Sequence, residues 1–472
     1  LDLTASGRSW IINAYLLTLA VTIAAAGHLS SIVGHRRIFL SGIIIFTGAS
    51  VLCGAANGGI MLITFRAVAG LGAALIAPTS QTIITDTFSS RDHGKALGIY
   101  SGVSAAGVVL GPILSGSLTG FFGWRWVFYV NLPIGLAIFL ITLYAPPAEK
   151  RRQDKIDWAG LILLMVGLLA LIIALMQSDD WGHTSPAFLG ILTLGLVCLA
   201  VFVMIERRIK EPLLDFTLFR NHNFLGNSLI MFIMRFALFG MAVYPPIFVQ
   251  EVLGFTPQLT GIATLPCTQM LMLISPRTGK LYHRRGIRFV ATLSIGLALL
   301  GFLWLAILGF PQQSYWWLLP AYIMVGSGIA FNTTPTTTDL IASAPAQNRD
   351  QAVGILSTMQ QLGGTVSIAI LTAVITPLTY NKVTTSLAAR GIQITKEQLQ
   401  SALPTYILTR QLPPGVTLQD LQTLKLSFTA ALSIAFLLIA ALLLVGLIIA
   451  RTLLQHARYG QSETLVGEAP LC

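Results

Sequence analysis

The chain has 472 residues, of which 54% are hydrophobic and only 10% are charged. Soluble proteins carry about 25% charged residues, so this composition excludes an ordinary soluble globular protein. The formal net charge of +11 would suit a nucleic-acid partner. Most Lys and Arg residues, however, lie in short connections between long apolar stretches, and this placement indicates membrane topology instead.

Thirteen apolar stretches dominate the chain, and each is long enough to cross a bilayer as a helix, which takes about 20 residues. In chain order the predicted spans are 10–33, 38–56, 60–85, 95–119, 127–145, 157–176, 187–205, 223–249, 259–276, 289–308, 316–341, 352–376 and 427–450. Lipid hydrocarbon offers the backbone no hydrogen-bond partner, so the spans must be helical. We therefore predict an all-α polytopic membrane protein.

Basic residues are distributed unequally between the two sides of this predicted membrane. Twenty of the 29 Lys and Arg residues fall in alternate short connections, whereas the opposite short connections contain only Arg8 and Arg125. The positive-inside rule places the basic side in the cytoplasm. The stretch before Trp10 is then outside and the tail after Ala450 is cytoplasmic. Because the chain starts outside without Met or a preceding apolar stretch, we expect its first helix to be missing from this sequence.

The connections that follow the first and the ninth span resemble each other. Gly27, Leu29, Gly34 and Arg36 recur as Gly279, Leu281, Gly286 and Arg288, at a constant offset of 252 (279 − 27). Parallel repeats of this kind build many secondary carriers, with the substrate site between the halves. We predict an N-terminal bundle over 1–145, a linker with two extra spans over 146–222, a C-terminal bundle over 223–450 and a tail over 451–472.

The connection over 377–426 is the only sizeable segment predicted to lie outside the membrane. Residues 395–398 resemble a helix-starting capping box, and Pro413-Pro414-Gly415 would break the segment. We expect one or two short extracytoplasmic helices there, without visible chemistry.

Four motifs follow one another on the predicted helices. They are Gly27-His-Leu-Ser-Ser-Ile-Val-Gly34-His-Arg36-Arg37, Leu62-Ile-Thr-Phe-Arg66-Ala-Val-Ala-Gly70-Leu-Gly72, Gly107-Val-Val-Leu-Gly111-Pro112-Ile-Leu-Ser-Gly116 and Trp124-Arg-Trp126-Val-Phe-Tyr-Val-Asn131-Leu-Pro133-Ile-Gly135. Together they resemble the fourteen-span drug:proton antiporter branch of the major facilitator superfamily, over nearly the whole chain. The resemblance implies two pseudo-symmetric helical bundles plus two linking helices, with the visible spans as family helices two to fourteen.

The first motif resembles the cytoplasmic loop signature of the superfamily, through Gly27, Gly34, Arg36 and Arg37. Its glycines permit tight turns and its Arg pair holds the cytoplasmic face, although a purely topological role for the pair is an equal alternative. The family pattern has an acid at Ser31 and usually an Arg at Ile32, and the repeat copy has His283 at the acid position. We therefore expect a weakened charge network in both halves.

Arg66 lies within a span, where a lone charge costs roughly 2.5–3.5 kcal/mol. It should face the bundle and, as the resemblance implies, assist proton coupling with an acidic partner on the missing helix; snorkelling from the helix end is the alternative. The resemblance gives Gly107, Gly111 and Pro112 a gating role in a bent, closely packed helix. Generic packing would also explain the two glycines.

Arg235, near the centre of span 223–249, is a second cation within the membrane, and its depth favours a cavity-facing position. The candidate residues of the substrate cavity are Asn13, Tyr15, Gln81, Arg235, Tyr244, Asn332 and Gln361. Pro245 and Pro246 are expected to break their helix and to place polar groups at its outer end.

None of the 18 Asp and Glu residues lies in the middle of a predicted span. A proton-driven carrier needs a carboxylate or a His that titrates between the two sides. Asp86, Glu251 and Asp339 lie at span ends, and of these Asp339 is the candidate for proton coupling. The resemblance places the usual Asp on the missing first helix.

The best hypothesis is a bacterial inner-membrane transporter that exports amphipathic drugs or toxic metabolites in exchange for protons. Its partners would be the substrate, protons and the lipid bilayer, with a periplasmic adaptor protein as a further candidate and no nucleic acid. No phosphate-binding loop, metal-spaced His/Cys set or nucleophilic triad occurs, so we predict neither an enzyme nor a cofactor or metal. Two alternatives remain: a specific metabolite or organic-anion carrier with Arg235 as the anion ligand, and a transporter-derived sensor that no longer cycles.

Overall fold

The computed structural model describes residues 5–88, 93–144, 158–177, 181–182, 185–209, 216–310, 314–345, 348–389 and 417–455. Within these ranges the regular structure is helical and contains no strand. The predicted capping box at 395–398, the breaking sequence at 413–415 and the end of the tail lie outside the described residues.

The helices follow the predicted spans. In chain order they are α1 (Ala5–Val33), α2 (His35–Gly54), α3 (Gly59–Thr87), α4 (His93–Phe122), α5 (Trp126–Tyr129), α6 (Asn131–Tyr144), α7 (Trp158–Met176), α8 (Pro186–Glu206), α9 (His222–Glu251), α10 (Pro257–Trp304), α11 (Tyr315–Ala342), α12 (Arg349–Ala389) and α13 (Leu418–Thr452). The short α5 and α6 together form one span, whereas α10 contains two, because Gly286 interrupts it. Each predicted span thus lies on a helix, and the predicted all-α fold is confirmed. Eight helical stretches of the described chain are long and apolar enough to cross a membrane.

The helices that flank the connection over 377–426 extend beyond the predicted spans, and one expected helix break is wrong. The connection over 377–426 is helical at both ends, because α12 continues to Ala389 and α13 begins at Leu418. A helix that leaves the membrane adds residues without a new nucleation step, so polar residues there need not end it. Pro245 and Pro246 do not break α9, which runs on to Glu251. Neighbouring helices can satisfy the backbone groups that a proline frees within a membrane.

The internal repeat is visible in the backbone of the two basic turns. Gly34 separates α1 from α2 with a φ of 108°, and its repeat partner Gly286 interrupts α10 with a φ of 76°. Residues with a side chain rarely adopt this left-handed region, whereas glycine enters it readily. The chain therefore reverses at equivalent glycines in the two halves.

The repeat extends to close helix contacts. A Cβ built at Gly72 would lie 2.5 Å from the Phe46 backbone nitrogen, and one at Gly328 would lie 2.8 Å from the Ala298 backbone nitrogen. Phe46 and Ala298 are themselves 252 positions apart (298 − 46). Small residues of this kind let membrane helices approach to backbone contact. The two halves are therefore built on the same helix crossing, between α2 and α3 and between α10 and α11.

A glycine pair also joins the two halves. A Cβ at Gly27, near the end of α1, would lie 3.0 Å from the Cα of Gly354, near the start of α12. The halves therefore touch through backbone at the end of the molecule where both basic turns lie. At this contact the two bundles are closed against each other.

The two linking helices form a pair of their own. Gly195 of α8 packs against the backbone of α7, where a Cβ would lie 2.9 Å from the Leu171 nitrogen. Buried Leu164, Leu168 and Phe202 of this pair share an apolar cluster with Leu17 of α1. The linking helices are thus attached to α1 by apolar packing.

Candidate functional site

Arg66 points into the N-terminal bundle. Its Nε donates a hydrogen bond to the Ile11 carbonyl of α1 (3.1 Å), and its guanidinium carbon lies 4.3 Å from the centre of the Tyr15 ring. A cation over an aromatic face is stabilised by the charge distribution of the ring. These contacts tie α3 to α1 and favour the bundle-facing interpretation over snorkelling. Tyr15 is therefore a partner of Arg66.

The third motif does not make its predicted close contacts within the described residues. α4 is helical from His93 to Phe122, and a Cβ at Gly107 or Gly111 would meet no described atom within 4 Å. The side chains of Pro112 and Asn13 lie outside the described residues. The expectation of a closely packed glycine face on α4 is therefore not met in the described part of the chain.

Arg235 lies in the middle of α9 and faces the other half. Its Nη2 donates to Gln360 Oε1 of α12 (2.9 Å), and Tyr100 of α4 lies within electrostatic range of the guanidinium. The Tyr100 hydroxyl in turn lies 3.1 Å from Ser80 Oγ of α3. Arg235 is half-buried, and its proximity to Tyr100 of the N-terminal half places it at the interface of the two halves.

The other predicted cavity residues have different surroundings. The Tyr244 hydroxyl donates to the Ile368 carbonyl of α12 (3.2 Å), and Asn332 Oδ1 accepts from Thr336 on its own helix (2.8 Å). Gln361 is partly buried, but the acceptor of the hydrogen bond from Arg235 is its neighbour Gln360. Gln81 Oε1 is buried and has no hydrogen-bond partner among the described residues.

Asp339 is the centre of a buried polar cluster in the C-terminal half. Its carboxylate accepts hydrogen bonds from Asn227 Nδ2 of α9 (2.6 Å) and from the Tyr282 hydroxyl of α10 (2.7 Å). All three side chains are buried. Three helices thus meet at one carboxyl group, beside the turn at Gly286.

Tyr282→Phe is expected to destabilise the protein by about 1–3 kcal/mol, because it removes one of the two donors to a buried carboxylate. Thermal unfolding of the purified protein measures the change. Tyr322→Phe is the matched control, since the buried Tyr322 hydroxyl has no hydrogen-bond partner among the described residues. Equal effects of the two changes would contradict the proposed importance of the cluster.

The residues of the cytoplasmic loop motif make mainly backbone contacts, and the charge network there was expected to be weak. Arg36 Nε donates to the Thr142 carbonyl (3.0 Å) and Nη2 to the Leu143 carbonyl (2.5 Å), at the end of α6. Arg37 is exposed. His35 Nε2 lies 3.7 Å from a carboxylate oxygen of Asp86, at the end of α3. Arg36 therefore caps α6, as basic side chains commonly cap helix C-termini.

Sequence reasoning missed several of these partners. The polar residues Asn227 and Gln360 lie within apolar spans, which was a usable signal for a buried contact. Tyr282, Tyr100 and Ser80 gave no such signal, since hydroxyl-bearing residues are common in membrane helices.

The helical bundles, their repeated crossings and the central interface define a polytopic membrane protein of the transporter class. Residues 1–368 match the family profile of the Major Facilitator Superfamily. The chain belongs to this family of membrane transporters.

Relatives and solved structures agree with this assignment. The multidrug resistance protein Stp of Mycobacterium tuberculosis (strain CDC 1551 / Oshkosh) is 34% identical over 371 residues, which cover 78% of this chain and 69% of Stp. The tetracenomycin C resistance and export protein of Streptomyces glaucescens is 31% identical over 368 residues, covering 77% of this chain and 68% of that protein. A crystal structure of a double Trp mutant of XylE shares the fold with a TM-score of 0.64 at 12% identity, over 99% of this chain and 90% of that chain.

Proposed function

We propose that this protein exports amphipathic drugs or toxic metabolites across the bacterial cytoplasmic membrane in exchange for protons. The main support is the central interface, where Arg235 is half-buried at mid-membrane between the two halves. The names of the two relatives, which refer to drug resistance and export, support the substrate class. The basic turns, the tail after Ala450 and the Gly27–Gly354 contact then face the cytoplasm.

The proposed cycle is alternating access around the central interface. The Gly27–Gly354 contact closes the cytoplasmic end, so a substrate in the interface faces outward. Opening that contact admits the next substrate from the cytoplasm. Asp339 lies at the same end, and its carboxyl group takes up or releases a proton as water reaches the cluster. Carriers built from parallel repeats use this kind of rocking motion.

Efflux from cells that express the protein tests the proposed function. Resistance to several unrelated amphipathic compounds, lost when the proton gradient is collapsed, is the expected result. Resistance to none of them, together with accumulation of a single metabolite, would support the specific-carrier alternative. Absence of any transport in proteoliposomes would support the sensor alternative.

Asp339→Asn is expected to uncouple transport from protons. An amide has nearly the shape of the carboxyl group and can still accept from Tyr282, but it cannot exchange a proton. Transport driven by a pH gradient should fall roughly tenfold, a factor typical of the coupling between two sites. Exchange of substrate for substrate should persist. Both are measured in proteoliposomes.

Asp420→Asn is the control for this change. Asp420 is also a buried acid of the C-terminal half, but its carboxylate accepts from the Thr417 backbone at the start of α13 (2.9 Å). Its loss should affect stability and leave coupling intact. Proton-driven transport that survives Asp339→Asn would remove Asp339 from the coupling mechanism.

A further inference from the structure

We propose that the central site selects amphipathic organic anions, carboxylates or phenolates with an apolar body, and that Arg235 is the residue that binds their charge. This inference rests on the proposed export function and names its substrate class. It concerns the binding site between the halves and not the proton pathway at Asp339.

The depth of Arg235 makes its charge available to the interface alone. Residue 235 is 13 positions from the start of α9 and 16 from its end, or roughly 20 Å from either end at 1.5 Å per residue. An arginine side chain is much shorter than this distance, so the guanidinium cannot reach the water at either face by snorkelling. A charge facing lipid is costly, and Tyr100 of the other half lies within electrostatic range, so the exposed surface of the guanidinium belongs to the interface between the halves.

The base of the side chain is held in place. A Cβ at Gly363 of α12 would lie 3.1 Å from the Arg235 Cβ, so the two helices cross at this residue. Nη2 is then directed to Gln360 Oε1, at 2.9 Å. A fixed position lowers the entropy cost of binding a ligand.

Most of the donor capacity of the guanidinium is unused in the described structure. The group has five N–H donors, and the hydrogen bond to Gln360 occupies one of them with a neutral acceptor. Among the described residues no carboxylate forms an ion pair with Arg235. An intramembrane cation without a counter-ion is costly, and a ligand anion supplies the missing charge.

The rest of the described interface adds no negative charge. Arg66, the other cation at depth, is held by the Ile11 carbonyl and the Tyr15 ring, both neutral. Tyr100 of the other half lies within electrostatic range of Arg235, and its hydroxyl lies 3.1 Å from Ser80 Oγ. Hydroxyl donors and a guanidinium suit a carboxylate, which a guanidinium binds through two parallel hydrogen bonds. A lipophilic cation would meet only like charge there.

The test compares three probes with one apolar ring system: anthracene-9-carboxylate, the neutral 9-anthracenemethanol and the cationic 9-anthracenylmethylammonium. Binding to the purified full chain in nanodiscs is measured by fluorescence. We expect the carboxylate to bind about tenfold tighter than the cation, and Arg235→Gln to weaken carboxylate binding about tenfold without affecting the alcohol. Arg235→Lys should keep the preference for the carboxylate at lower affinity. Lysine retains the positive charge but lacks the two parallel N–H donors of the guanidinium.

Arg277→Gln is the matched control, because Arg277 is an exposed cation on α10, and it should leave all three affinities unchanged. Equal weakening of all three probes by Arg235→Gln would show a purely structural role and overturn the proposal. Should Arg235→Gln fail to fold, a wild-type preference for the cation or the alcohol would overturn it equally. Drug export without carboxylate binding would refute this inference alone, whereas Arg235-dependent carboxylate binding without export would refute only the proposed function.

Discussion

Gly27→Trp is expected to slow transport about ten- to hundredfold while the protein still folds. The Gly27 Cα faces the Gly354 Cα across the contact between the halves, where even a Cβ would lie at 3.0 Å. A large side chain there costs about 1–3 kcal/mol of overpacking in the closed state. This overpacking cost is absent from the open state. The equilibrium between the closed and open states therefore shifts about ten- to hundredfold toward an open cytoplasmic end. Transport requires both states and therefore slows by a similar factor.

The open state can be measured directly. Ser357→Cys, one turn after Gly354 and buried, is introduced after the four native Cys residues are replaced by Ser. In everted vesicles, Gly27→Trp should increase its labelling by a membrane-impermeant maleimide. Gly48→Trp is the control, because a Cβ at Gly48 meets nothing within 4 Å. Normal transport by Gly27→Trp would show that the halves do not close at this contact.

Gly72→Leu and Gly328→Leu are expected to destabilise the protein to a similar extent, by about 1–3 kcal/mol each. A Cβ at either glycine would approach backbone atoms of the neighbouring helix, within 3.0 Å of Phe46 or Ala298. Backbone cannot move aside as a flexible side chain can. Thermal unfolding in detergent measures the loss.

Gly296→Leu provides the matched control for this pair. Gly296 lies on α10 between Ser294 and Ala298, the two residues that Gly328 contacts. A Cβ at Gly296, however, would meet nothing within 4 Å. It should unfold at nearly the wild-type temperature. If only one of the two repeat glycines proved sensitive, the halves would not share one mode of helix packing.

The sequence was sufficient for the fold because membrane spans are specified locally. A run of about 20 apolar residues identifies a span without any knowledge of its neighbours. The repeat at an offset of 252 also identified Gly34 and Gly286 as turn positions, and both have positive φ. Helix ends were less predictable, because apolar character ends at the lipid boundary while helix does not, as α12 shows by continuing to Ala389.

The candidate site was less predictable because it depends on how each helix is rotated about its axis and how it is shifted along its neighbours. Gln360 and Gln361 are equally polar, but neighbouring helix positions differ by about 100° in direction, and only the packing of α12 on α9 selects Gln360. The partners of Asp339 come from two other helices. No sequence pattern within one span fixes such a register.

The length of α12 has a consequence for how a released molecule leaves the protein. Its 41 residues extend about 60 Å at 1.5 Å per residue, twice the roughly 30 Å thickness of the hydrocarbon layer. With the 35-residue α13 beside it, it extends beyond the hydrocarbon layer on the side that the proposed orientation places outside. The described turns of the other half, at 55–58 and 123–125, are short. Under the proposed export function, a departing molecule therefore meets tall helices on the C-terminal side and only short described turns on the N-terminal side.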